Sequence, residues 1–169
     1  KLFLKKTNNG STVFNIDSNK NMINQGKKRL KNLKNITWDI QSAEKLNFQD
    51  NYFDYYTISF GLRNTKNINK SLEEAYRVLK PGGRFLCLEF SKINNLNLDF
   101  IYKKYSKLIP KIGKLVVGES QPYEYLVESI EKFLNQEELK DSMKKVGFAK
   151  CDFRNLSGGV VAIHSGWKV

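Results

Sequence analysis

Residues able to do chemistry stand just past the ends of apolar runs in this chain. Asp17 closes STVFNI, Ser59, Arg63 and Asn64 close and follow the run beginning at Tyr55, and Glu89, Ser91 and Lys92 end the run beginning at Arg84. Ligands of open parallel sheets bind at the carboxyl ends of strands, so residues placed there are the ones that meet a substrate. A carboxylate in Asp17's place accepts hydrogen bonds from both ribose hydroxyls of a nucleoside, and it equally suits the N-cap of a helix beginning near Asn19. Arg63 carries a permanent charge, which suits either an anionic group or a salt bridge, and Glu89 is a partner of the right sign. Asn64 offers a donor and an acceptor to a hydroxyl. His164 is the only histidine and lies in the last strand-like run, far along the sheet, where a structural role is expected rather than general-base work.

The elements that must position these groups follow from periodicity. Ser11 to Ile16, Ile36 to Ile40, Tyr55 to Phe60 and Arg84 to Phe90 read as strands, with a helix over Asn19 to Leu33 and another ending at Leu79-Lys80-Pro81-Gly82-Gly83. Strand, helix, strand in this order is the right-handed βαβ crossover. Residues 93 to 129, rich in Tyr and Lys, are too many for a tight connection and too apolar for disorder, and are expected to form an inserted helical cover. Asn135 to Val146 reads as a helix stopped by Gly147. Phe148 to Asn155 and Val160 to Trp167 read as an antiparallel hairpin joined by Ser157-Gly158-Gly159. The length, 169 residues, buries a core without disulfides or metals, so one domain over 1–169 is expected.

Lys and Arg number 29 against 17 Asp and Glu, a formal charge of +12. Such an excess suits an anionic partner, but the Lys residues are spread over several helices in an Asn- and Lys-rich composition, so a solvated surface explains it as well. Within Ile101 to Val117, five Lys alternate with Ile, Leu and Tyr as in segments that rest on an anionic membrane, although Pro110 and Gly113 break it into short pieces. Cys87 and Cys151 lack CxxC spacing and fall in strands, so buried free thiols of a reducing compartment are expected, with no metal site. No run of 18 apolar residues that would span a bilayer is found.

SFGLRN at 59–64, LEFSK at 88–92, PYEYLVESI at 122–130 and NLSGGVVAIHSGWK at 155–168 together resemble the ubiquinone/menaquinone biosynthesis C-methyltransferases, a family of class I S-adenosylmethionine-dependent methyltransferases. The resemblance covers nearly the whole chain. It implies an α/β, Rossmann-like fold with a mostly parallel sheet and a C-terminal antiparallel hairpin. The cofactor would be S-adenosylmethionine and the reaction transfer of its methyl group to a ring carbon of a polyprenylated hydroquinone, such as 2-methoxy-6-polyprenyl-1,4-benzoquinol. By the same resemblance Asp17, Ser42, Ala43 and Ser59 contact the cofactor, with Ser42 shorter than the Asn or Asp that the family commonly has there. Arg63 and Asn64 are catalytic: Arg63 steadies a phenolate and organises a water, and Asn64 fixes the hydroxyl. Glu89, Ser91, Tyr105, Tyr123 and Tyr125 contact the quinol, the tyrosines equally serving as ordinary packing of the cover.

Such folds normally open with a strand and a glycine-rich turn, and Gly10 is the only glycine before Asp17. The chain is therefore expected to be part of a longer protein, because helix-like Lys1 to Lys6 matches the helix that follows that turn in the family. The partners implied are the quinol, a membrane surface touched peripherally, a quinone-biosynthesis complex and a second copy of the chain. The location implied is the matrix side of the mitochondrial inner membrane, or the cytoplasm in a bacterium. A non-catalytic scaffold of such a complex is the alternative. A nucleic-acid methyltransferase ranks below both, since no contiguous basic face with stacking aromatics or base-binding motif is found.

Overall fold

The computed structural model describes Leu4, residues 10–93 and residues 121–169. The chain divides into two compact units, Lys1–Phe48 and Gln49–Val169. The expected helix at Lys1 to Lys6, most of the helical cover, the Lys-rich segment 101–117 and Tyr105 lie outside the described residues.

In the first unit, β1 (Val13–Asp17), α1 (Lys20–Arg29) and β2 (Ile36–Ile40) form a crossover, and the two strands pair in parallel from Val13 opposite Ile36 to Asp17 opposite Ile40. Parallel pairing brings both carboxyl ends to one edge. The cap of α1 is Asn19, whose side chain accepts from the amides of Asn21 and Met22 at 2.9 and 3.4 Å. Asp17 therefore does not cap this helix. Helix and strands approach so closely that a Cβ on Gly26 would lie 2.3 Å from the ring of Trp38, which only glycine avoids.

The second unit contains β3 (Phe53–Ser59), a 3₁₀ turn (Leu62–Asn64), α2 (Ile68–Val78), β4 (Leu79–Phe90), α3 (Gln121–Lys132), α4 (Gln136–Val146), β5 (Ala149–Leu156) and β6 (Val161–Trp167). Its sheet order is β3-β4-β6-β5, with β3 and β4 parallel and β6 antiparallel to both of its neighbours. Among the described residues no strand joins β1 and β2 to this sheet. The α/β class, the parallel crossovers and the C-terminal hairpin match the sequence reading. Boundaries differ: α1 ends at Arg29 rather than Leu33, β3 begins at Phe53 rather than Tyr55, and α2 stops at Val78 with the extended chain already beginning at Leu79, Pro81-Gly82 being an irregularity inside β4 where the register jumps from Phe53–Leu79 to Tyr55–Arg84. Gly82 takes a φ of +79° and its amide is held by the Lys168 carbonyl at 2.7 Å, so this loop is tied to the end of β6.

The core of this unit is built by Leu72, Ala75, Leu79, Phe85, Cys87, Leu139, Met143 and Phe148. Tyr56 stacks on Phe85 at 5.7 Å, and burial pushes its phenol up to about 12. The free thiol of Cys87 is buried as expected and is raised far above its ordinary range by burial and by Glu89. Helix α4 begins with a capping box in which Asn135 and Glu138 each accept the other's backbone N–H, and it ends at Gly147 in the left-handed region.

A polar residue in this core ties its layers. Gln136 is buried, and its Nε2 donates to Lys92 O at 2.9 Å and Asn155 Oδ1 at 3.0 Å while its backbone carbonyl faces His164 Nε2 at 3.0 Å. A carbonyl only accepts, so Nε2 carries the proton and Nδ1 is left without a partner among the described residues. Burial holds the His164 imidazole below its ordinary value, with Glu137, Lys140 and Asp152 as the surrounding charges.

Since the unfolded chain takes up that proton near pH 6.5 and the folded one resists it, stability falls as pH drops below this value. With one histidine in the sequence, the test is clean. Urea midpoints measured between about pH 7.5 and 5.5 should decline in the wild type and decline less steeply in His164→Gln.

Candidate functional site

The turn after β3 builds the most organised polar group of the second unit. Phe60 adopts a φ of +53°, its amide is held by Leu88 O at 2.8 Å, and its ring packs against Phe90 at 4.9 Å. The chain is thereby reversed into the 3₁₀ turn, which buried Leu62 anchors below and the Thr65 hydroxyl closes by donating to Leu62 O at 2.8 Å. This reversal sends Arg63 back over the end of β4.

There Arg63 meets Glu89, and the two are the alternatives of the sequence reading joined in one group. Nη1 lies 2.9 Å from Glu89 Oε1, with side-chain exposures of 8% for Arg63 and 1% for Glu89. Arg63 Nη1 also donates to Phe60 O at 2.8 Å, Nε donates to Ser129 Oγ at 3.2 Å, and the guanidinium lies 5.2 Å from the Phe90 ring centroid. Glu89 further accepts the amides of Phe90 at 2.9 Å and Arg63 at 3.3 Å. A buried charge is tolerated only when paired and hydrogen-bonded, and this carboxylate is both. Its inward aim follows from strand alternation, since Gly83, Phe85, Cys87 and Glu89 are the buried positions of β4 past its Pro81-Gly82 irregularity.

Asn64 lies exposed beside this pair, and its Oδ1 accepts from the Tyr125 hydroxyl at 3.1 Å. Tyr125 is exposed and Tyr123 half-buried on α3. Ser91, just beyond β4, is buried with a hydroxyl that has no partner among the described residues, although its amide donates to Val160 O at 2.9 Å. Ser59 is exposed at the end of β3. Arg63, Asn64, Glu89 and Tyr125 are thus brought together. Ser129 was not among the expected residues; its spacing of four from Tyr125 on one helix face was the available signal.

In the first unit Asp17, Ser42 and Ala43 lie at the carboxyl edge of β1 and β2. Asp17 Oδ1 accepts the Asn19 amide at 2.8 Å, and the second oxygen has no partner among the described residues. Asp17 also borders a cavity of about 250 Å³ with Asn15, Met22, Gly26 and Trp38. Ser42 and Ala43 belong to a tight turn in which Lys45 N donates to Ser42 O at 3.1 Å and Glu44 N to Ser42 Oγ at 3.2 Å. That turn is held by a residue the sequence reading missed: Gln41, buried, donates to Asp39 Oδ2 at 2.6 Å and accepts from the Asn47 amide at 2.8 Å. These bonds, Gln41 first and the Ile40 amide second, hold the Asp39 carboxyl below its ordinary value. An acid at a parallel strand end with one oxygen to spare fits a nucleoside ribose. Among the described residues no cluster of His, Cys, Asp and Glu suits a metal ion.

This architecture is that of the class I S-adenosylmethionine-dependent methyltransferases. A SAM-dependent methyltransferase from Aquifex aeolicus superposes with a TM-score of 0.66 at 18% identity, covering 94% of this chain and 69% of that one. The chain belongs to the ubiE/COQ5 methyltransferase family, whose model matches residues 2–168. It is 49% identical over 175 aligned positions to the ubiquinone/menaquinone biosynthesis C-methyltransferase UbiE of Rickettsia bellii (strain OSU 85-389), covering 100% of this chain and 71% of the relative. It is likewise 49% identical over 163 positions to the mitochondrial 2-methoxy-6-polyprenyl-1,4-benzoquinol methylase of Gallus gallus, covering 94% of this chain and 52% of that protein. The cofactor of this enzyme family is S-adenosylmethionine, and Asp17 fits its ribose.

Removing one member of the buried pair strands the other. Arg63→Met or Glu89→Leu alone should lower stability by about 3–5 kcal/mol, while the double variant loses much less than the sum. Urea unfolding of the four proteins measures the coupling.

Proposed function

We propose that this chain carries the methyl-transfer chemistry of a quinone-biosynthesis enzyme whose acceptor is the ring carbon of a polyprenylated hydroquinone. The observation that carries the reading is the buried Arg63, held by Glu89 at a strand's carboxyl end with Asn64 beside it. S-adenosylmethionine supplies an electrophilic methyl on a sulfonium. The residues of the chain do the rest. Asp17 grips the ribose through its spare carboxylate oxygen, with Ser42, Ala43 and Ser59 as further cofactor contacts.

For a benzenediol the acceptor carbon becomes nucleophilic when a neighbouring hydroxyl gives its proton to water. Arg63 lowers the energy of the resulting phenolate without itself losing a proton, and Asn64 orients the hydroxyl. The ring carbon then forms its bond to the methyl as the bond to sulfur breaks. The electron pair goes to sulfur, and the ring proton leaves to water as aromaticity returns. Tyr123 and Tyr125 offer aromatic faces to the head group, and Ser91 offers a hydroxyl that has no partner among the described residues.

A polyprenyl tail keeps such a substrate in a bilayer, and among the described residues no helix is long and apolar enough to cross one. Peripheral contact with a membrane supports access to it. The surface is the matrix face of the mitochondrial inner membrane in a eukaryote, as the name of the chicken relative suggests, or the cytoplasmic face in a bacterium. A quinone-biosynthesis complex and a second copy of the chain are the protein partners proposed.

The test is incubation of the protein with S-adenosylmethionine and a reduced, prenylated quinol, read by mass spectrometry and paired with a calorimetric titration of the cofactor. A ring-methylated quinol is expected, and Asp17→Ala should weaken cofactor binding about tenfold or more. Cofactor binding with no methylation of either a benzoquinol or a naphthoquinol would overturn the reading.

A further inference from the structure

Arg63 has five N–H groups, and the fold uses three. Nη1 gives both hydrogens, to Phe60 O at 2.8 Å and Glu89 Oε1 at 2.9 Å, and Nε gives its one to Ser129 Oγ at 3.2 Å. The two on Nη2 have no partner among the described residues. They are the donors left for an oxyanion, and their direction is set by the guanidinium plane. Contacts at Nη1 alone leave that plane free to swing about one corner. A second anchor at Nε fixes it.

The anchor has a defined polarity. The Ser129 hydroxyl donates to Leu126 O at 2.9 Å, so its hydrogen is committed within α3 and only a lone pair faces Arg63. One helical turn earlier, Tyr125 donates to Asn64 Oδ1 at 3.1 Å, which directs the other polar group of the turn. Arg63, Tyr125 and Ser129, with Ile68 and Phe133, border one cavity of about 220 Å³. Glu128 and Lys132, also at this cavity, are paired with each other, so their charges largely cancel.

We propose that Ser129 is a positioning residue for methyl transfer, holding the Arg63 guanidinium so that Nη2 faces the phenolate oxygen of the quinol. This rests on the reading given under Proposed function. Ser129 does not touch the reacting atoms; it acts through Arg63. A misaligned guanidinium stabilises the phenolate less, so ionisation of the bound quinol needs a higher pH. Affinity for S-adenosylmethionine is untouched.

The test compares wild type, Ser129→Ala and Ser129→Thr in the quinol methylation assay, with kcat, KM and the pH dependence of kcat measured for each. Alanine suits a helix, so the variant folds, and circular dichroism verifies it. Ser129→Ala should lower kcat about 10- to 100-fold, leave the KM for S-adenosylmethionine within about threefold, and move the rising limb of the pH profile upward. Ser129→Thr keeps the acceptor and should restore most of kcat and the original limb. An active wild type with an unaltered kcat and pH limb in Ser129→Ala overturns the positioning role alone. So does a Ser129→Thr variant that fails as badly as alanine with the limb unmoved, the mark of a packing role. A wild type that binds the cofactor but methylates no quinol overturns the functional reading and this role with it.

Discussion

The burial of one carboxylate governs the organisation of the second unit. Glu89 occupies an inward position of β4 and is 1% exposed, where a lone charge would be intolerable. It must be met by a cation and by N–H donors; the Phe90 amide supplies one donor within β4, and the chain supplies the cation and a second amide by reversing after β3 and laying Arg63 over the strand end. The left-handed backbone at Phe60, the short 3₁₀ turn and the hydroxyl of Ser129 all serve that encounter. A well-packed apolar pair often stabilises a fold as well as a buried ion pair does. What hydrocarbon cannot do is fix a planar cation in place, which is why the pair is understood as a locating device.

A second polar knot does similar work inside the same unit without carrying charge. Gln136, at the start of α4, reaches Lys92 after β4 and Asn155 in β5 with its side chain and His164 in β6 with its backbone carbonyl, so one residue references a helix to the end of β4, to β5 and to β6. Lys168 does this at the other edge, donating to Asn51 Oδ1 and Tyr76 O at 2.8 and 2.9 Å and lying 4.7 Å from the Tyr76 ring centroid. The apolar core of Leu72, Phe85, Leu139 and Phe148 supplies bulk stability. The polar knots set alignment.

Local pattern made most of the architecture legible. Alternation marked the strands, and β2 was bounded at Ile36 and Ile40 as it is observed. Gly147 announced the end of α4 because a helix stop is read from nearest neighbours, and its start was placed within one residue, at Asn135, which is the N-cap. The start of β4 was misplaced because Leu79 is itself the C-cap of α2 and pairs with Phe53, a contact distant in sequence. For the site, the pairing of Arg63 with Glu89 was foreseeable from charge and strand ends. The parts played by Ser129, Gln41 and Gln136 were not, since a serine or glutamine shows its importance only through partners that tertiary packing brings to it. Asn19 rather than Asp17 as the cap of α1 was hidden for a related reason: the two stand only two residues apart, and the turn decides between them.

The alternation along β4 has a further effect on how this strand finds its neighbours. Sliding it by one residue would exchange Phe85, Cys87 and Glu89 for Arg84, Leu86 and Leu88 on the buried face. Hydrocarbon alone would distinguish those alignments poorly, because Leu86 and Leu88 are as greasy as Phe85 and Cys87. The carboxylate does distinguish them: in the native alignment it finds Arg63, while the slipped strand would bury Arg84 and lose the Glu89 pairing. The carboxylate that holds Arg63 thus doubles as a registration mark, letting the chain reject a mispaired sheet.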